Sequence, residues 1–120
     1  MTDYLTVAEV LAMHADQIER YGGSHGVRDP GLLEAALFRP QTGYYADLIE
    51  EAAALWESMS QNHPFVDGNK RTALASMIVF LGLNGFDLDA VQEDATAMIL
   101  GLAAGEIREE LLARWLTDHI

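Results

Sequence analysis

One stretch of the chain has the density of reactive side chains that an active site needs: His63-Pro64-Phe65-Val66-Asp67-Gly68-Asn69-Lys70-Arg71. His63 is an imidazole, the side chain best suited to take up a proton at neutral pH. Asp67 is a carboxylate that can share a divalent cation with phosphates. Gly68 allows a backbone to approach an anion closely, and the first turn of a following helix offers unpaired N–H groups and a positive dipole end. Lys70 and Arg71 add two cations at that point. A proton acceptor, a carboxylate, a glycine turn and paired cations together point to transfer of a phosphorus-containing group from a nucleotide, with His63 taking the proton of an acceptor hydroxyl. Magnesium and the cations Lys70 and Arg71 would hold and neutralise the phosphates. Taken singly, the same residues also read as ordinary structure: His63 as a helix C-cap, Asp67 as an N-cap, Lys70-Arg71 as a solvated pair. A helix start is the wrong end for cations on dipole grounds, which weakens the last of these.

The elements needed to position this stretch are helical. Apolar residues recur at helical spacing along most of the 120 residues, so an all-α fold is expected, one domain spanning 1–120 and built as a bundle of about six helices. Thr6 caps a first helix, Val7 to Tyr21, with Val7, Val10, Leu11, His14 and Ile18 on one stripe and Gly22-Gly23 ending it. Asp29-Pro30 reads as N-cap and first residue of a short helix stopped by Pro40. A third helix runs from about Asp47 to Gln61, with Leu48, Ala52, Leu55, Trp56 and Met59 on one face. The fourth starts near Asn69 and is apolar nearly all round, which predicts that it is the buried centre of the bundle, with Gly85 at its end. Asp89 caps a fifth helix, Ala90 to Leu102. Glu106 to Asp118 forms a sixth with Ile107, Leu111 and Trp115 inward. Phe86–Leu88 leaves room for a short extended piece.

Composition excludes several classes. No cysteine means no disulfide framework, thiolate zinc site or cysteine nucleophile. The longest apolar stretch, Met77–Leu83, is too short to span a bilayer, and the N-terminus lacks the basic and apolar regions of a signal peptide. A cytoplasmic domain with no membrane contact is expected. Nineteen acids against seven bases give a net charge of -12, a surface that repels phosphate backbones, so direct nucleic-acid binding is not expected and a basic partner is. Against that background the adjacency of Lys70 and Arg71 stands out.

His63 to Arg71 resembles the signature of the Fic-domain superfamily, most closely its death-on-curing (Doc) toxin branch, the toxin half of bacterial toxin–antitoxin pairs. Gly26-Val27-Arg28-Asp29-Pro30-Gly31-Leu32-Leu33-Glu34-Ala35-Ala36-Leu37 with Arg39-Pro40-Gln41 is similar to the family's N-terminal block, and Ala52–Leu55 and Phe80–Gly85 are similar to its flanking blocks. The resemblance implies a Fic/Doc-like helical fold. It implies that His63 is the base, that Phe65 packs inward, that Asp67 binds Mg2+, that Gly68 and Asn69 belong to the anion-binding turn and that Arg71 contacts phosphate. Adenylyl-transferring members carry glycine where this chain has Lys70 and a second arginine where it has Leu74. A lysine obstructs the glycine-lined phosphate path, and the missing arginine removes a clamp. The implied activity is therefore that of a protein kinase using ATP, transferring the terminal phosphate to a hydroxyl. In the family that acceptor is a threonine of elongation factor Tu, and the outcome is blocked translation. Adenylyl transfer and a catalytically silent corepressor subunit are the alternatives. No glutamate is followed by glycine or asparagine, so the inhibitory motif of self-inhibited Fic proteins is absent. Inhibition is expected from a cognate antitoxin whose C-terminal helix occupies a groove.

Outside the signature, His14 reads as a packed or rim histidine, His25 as loop decoration and His119 as frayed. Trp56 and Trp115 read as core anchors. Arg28 and Arg39 are equally open to structural roles and to contacts with ligand or antitoxin, and Tyr44-Tyr45 to a flap over the acceptor.

Overall fold

Two of the three N-caps expected from the sequence form, at Thr6 and Asp29. In the computed structural model, which covers Met1–Ile120, Thr6 and Glu9 make a reciprocal capping box that opens α1 (Val7–Tyr21). The Asp29 carboxylate accepts Leu32 N–H at 3.1 Å, and Pro30 opens α2 (Pro30–Phe38). A single 3₁₀ turn, Arg39–Gln41, carries Pro40, and Asp47 accepts Glu50 N–H at 2.9 Å to open α3 (Leu48–Asn62). Helix α4 (Asn69–Leu83) ends where Phe86 N–H reaches Leu81 O and Gly85 N–H reaches Gly82 O, a Schellman closure that Gly85 permits with its φ of 91°. Helices α5 (Gln92–Ala103) and α6 (Glu109–His119) complete an all-α fold of six helices with no sheet. No helix is long and apolar enough to cross a membrane.

Five expectations are corrected. The most deeply buried helix is α3, not α4: Ala52 to Ser60 are all buried, and α3 packs against every other helix except α1. Its small and polar residues understate its burial, because alanines permit close approach and Glu57 is buried with an arginine partner. Helix α4 instead leaves Ile78, Val79 and Leu83 exposed. Asp89 caps nothing; its N–H donates to His119 O, and α5 starts later, at Gln92. Ile107 lies before α6 and seals over Gly101, so a stripe counted from it fails. Leu112 and Leu116 face the core, Leu111 is exposed, and Trp115 is half-buried against the fully buried Trp56. Phe86–Leu88 joins no ladder; the one β-bridge pairs Val27 with Phe65. His119 is not frayed, because its Nδ1 contacts Trp115 O at 2.7 Å and its ring stacks on Trp115.

Arg39 binds α3 to the turn before it. Its guanidinium donates to Glu57 and Ser58 at 2.8 Å each and to the Tyr45 hydroxyl at 2.6 Å. Glu109 is buried nearby, and its Oε1 has no hydrogen-bond partner. Burial, then the charges of Glu110, Glu50 and Glu57, raise its pKa, with Arg39 opposing. A carboxyl with a raised folded-state pKa contributes stability below its unfolded pKa and loses it as pH rises through the folded value. We therefore predict that Glu109→Gln melts with the parent protein in acid and melts a few degrees higher near neutral pH. Parallel thermal melts check this; a gap that fails to open as pH rises contradicts it.

Candidate active site

The signature loop is a tight connection between α3 and α4, and its geometry follows from a few side chains. Asn69 folds back on it: its Oδ1 accepts Phe65 N–H and its Nδ2 donates to Phe65 O, both at 2.9 Å. Phe65 is buried and stacks on the buried His14 ring at 3.8 Å between centroids. His14 Nε2 donates to Asp67 O at 2.7 Å, so the apolar stripe of α1 includes a side chain that carries the loop. Asn69 thus spends its amide on the loop, and its backbone N–H is what it leaves to the turn.

The Asp67 carboxylate accepts Ser24 N–H at 3.1 Å and Gly68 N–H at 2.8 Å. Those two backbone donors, in that order, hold the carboxyl below the usual carboxylate range; Arg71 and His14 add to the effect while desolvation opposes it. Asp67 is therefore an anion under ordinary conditions. It is not an N-cap. That position belongs to Gly68, whose φ of 76° brings the chain into α4 without a side-chain cap. The N–H groups of Asn69, Lys70 and Arg71 consequently have no acceptor in the protein. Arg71 donates to Gly22 O at 2.9 Å and lies over the Tyr21 ring. Lys70 is exposed and makes no ion pair.

These groups surround one concave pocket of about 320 Å³, lined by His63, Val66, Asp67, Gly68, Asn69, Lys70 and Arg71. Every predicted site residue borders it. His63 is also the C-cap of α3, in the left-handed region, so its structural reading holds, and the same residue borders the pocket. The pocket can accept a polyanion at the α4 N-terminus with a proton acceptor at its side. Asp67 is its one carboxylate, and no three His, Asp or Glu side chains converge to hold a metal. Magnesium carried by nucleotide phosphates needs one or two carboxylates and no protein cage, so the donor set fits a nucleotide-borne ion.

A model of the Fic/DOC family matches residues 4–81. The chain belongs to the Fic/DOC family. It is 47% identical over 95 residues to "Toxin Doc" of Mycolicibacterium smegmatis, covering 75% of this chain and 71% of that one. It is 38% identical over 108 residues to "Protein kinase doc" of Escherichia phage P1, covering 87% and 85%. Within this Fic/DOC chain several residues that shape the pocket escaped the sequence reading: Ser24 and Gly22 through their backbones, His14 through its ring, and Gly23. Gly23 has a φ of 122°, which side chains rarely adopt, and a Cβ there would displace Asp67 Oδ2, 2.6 Å away, so glycine is favoured there. The doubled glycine after α1 was the available signal, but it read simply as a helix stop. Arg28 and Arg39 are both spent on the protein itself. Tyr45 is tied to Arg39, and neither Tyr44 nor Tyr45 lines the pocket, which removes the flap. His25 is an exposed loop residue 3.5 Å from Glu19.

A second groove of about 390 Å³ adjoins the pocket, lined by Gln17, Tyr21, Leu74, Ala75, Ile78 and Gln92, with Arg71 common to both. Leu74 belongs to this groove and not to the signature pocket.

Proposed function

We propose that this protein is the toxin of a toxin–antitoxin pair and a protein kinase, transferring the terminal phosphate of ATP to a hydroxyl of a translation factor. The observation that carries the reading is the convergence of His63, Asp67, three unpartnered N–H groups, Lys70 and Arg71 on one pocket. The relative named a protein kinase supports the reaction class, and the relative named a toxin supports the role.

In this reading His63 takes the proton as the acceptor oxygen bonds to the terminal phosphorus, and the bond to the bridging oxygen breaks to release ADP. The α4 N-terminus and Arg71 receive the transferring phosphoryl group. Asp67 holds magnesium, which when bound neutralises phosphate charge. As the resemblance implies, a lysine at position 70 would obstruct the path of an adenylyl donor, and Leu74 supplies no second clamp; both favour phosphoryl over adenylyl transfer. The acceptor proposed is a threonine of elongation factor Tu, as the resemblance implies.

The apolar groove beside the pocket is the proposed seat of the antitoxin's C-terminal helix, because Leu74, Ala75 and Ile78 give it a hydrophobic floor. Added to a bacterial cell-free translation mixture, the purified protein is expected to stop synthesis, and its antitoxin to restore it. Ile78→Arg is expected to stop synthesis equally well but to escape the antitoxin. Continued synthesis with the parent protein would refute the toxin reading; an Ile78→Arg protein still restrained would refute the groove.

A further inference from the structure

We propose that Arg28 is a positioning residue that fixes the backbone corner from which His63 reaches the pocket; this rests on the reading of His63 as the proton acceptor. His63 is the only non-glycine residue with a positive φ, 49° with ψ 56°. A side chain in that region costs about 1–3 kcal/mol and persists only where its surroundings over-determine it. Here they do. Arg28 Nε donates to His63 O at 2.8 Å, and its terminal nitrogen donates to Asn62 O at 2.9 Å.

Those two carbonyls belong to the two peptide planes on either side of the His63 Cα. Fixing both with one planar guanidinium fixes φ and ψ of His63 together. They are also orphan acceptors at the negative end of the α3 dipole, where a cation is favoured. The neighbouring backbone reinforces the corner: Arg28 N–H and Asp29 N–H both donate to Pro64 O, at 2.8 and 3.0 Å, and Val66 N–H donates to Gly26 O at 3.0 Å.

Arg28 does not line the pocket, so its effect passes through His63. The anion turn is held by other groups: Asn69 on Phe65, His14 on Asp67, and Gly22 on Arg71. Loss of the Arg28 fork therefore moves the proton acceptor and leaves the phosphate seat in place. Lysine keeps the charge but cannot hold both planes.

The test measures three quantities in Arg28→Ala and Arg28→Lys: transfer of terminal phosphate label, ATP affinity, and the scalar coupling of His63 Hα to the preceding carbonyl carbon, which separates positive from negative φ. The expected result is a loss of transfer of about 10²-fold in Arg28→Ala and a smaller loss in Arg28→Lys. ATP affinity should stay unchanged, and the coupling should shift away from its left-handed value. An unchanged coupling, an unchanged rate, or an ATP affinity that falls in step with the rate would overturn the proposal. If the parent protein itself transfers no label, the kinase reading fails. The coupling then decides the role of Arg28 alone, supporting it if it shifts and overturning it if it does not. If Arg28→Ala does not fold, Arg28→Lys carries the same readouts.

Discussion

Replacing His63 with alanine is expected to slow phosphate transfer by about 10²–10⁴-fold while ATP affinity holds. The magnitude is that of a general base removed from a transfer reaction. The affinity should hold because nothing else in the pocket leans on the imidazole: its side chain makes no hydrogen bond, and only its backbone carbonyl is used, by Arg28. Alanine occupies the left-handed corner no more readily than histidine does, so the Arg28 fork remains necessary and the loop keeps its course. A His63→Ala protein that binds ATP normally and transfers at the parent rate would remove His63 from the chemistry. One that loses ATP binding as well would assign it to the nucleotide site instead.

Arg71→Ala is expected to behave differently, lowering the transfer rate by about 10²–10³-fold and weakening ATP binding together. Arg71 donates one of its five N–H groups to Gly22 O, leaving a charged face beside three backbone donors at the α4 N-terminus. Binding nucleotide and stabilising the transferring phosphoryl group draw on the same guanidinium, so both parameters fall. Arg71→Lys should rescue little, since an ammonium cannot hold Gly22 O and a phosphate in one plane. Steady-state kinetics with nucleotide titration separates the two variants: a kcat effect alone for His63, a combined kcat and KM effect for Arg71. A purely kcat effect for Arg71→Ala would contradict its place in the phosphate seat.

What the sequence made legible was local. Thr6 and Asp29 announced the starts of α1 and α2 because each cap is satisfied within three residues. The signature stretch was legible for the same reason, since every residue in it except the buried Pro64 and Phe65 borders one pocket. What stayed hidden was long-range. That residues 14 to 28 close over residues 62 to 71 depends on a His14–Asp67 bond, a Ser24–Asp67 bond and an Arg28 fork, none of which leaves a local pattern. Hydrophobicity also records which side chains favour burial, not which receive it. Helix α4 carries more apolar surface than the core takes, and the surplus at Leu74 and Ile78 lines a groove, while α3 is buried through alanines and an ion-paired glutamate. Asp89 misled because a good capping residue forms a cap only if a helix follows at once, and here the backbone turns to meet His119 first.

The central claim is that this pocket transfers the terminal phosphate of ATP. The most direct measurement incubates the purified protein, beside a His63→Ala control, with bacterial lysate and ATP labelled at either the terminal or the α phosphate. The prediction is terminal label on a protein band, absent with the control, and no α label. Label from the α phosphate would contradict the claim in favour of adenylyl transfer, and label from neither in a lysate of verified activity would contradict it altogether.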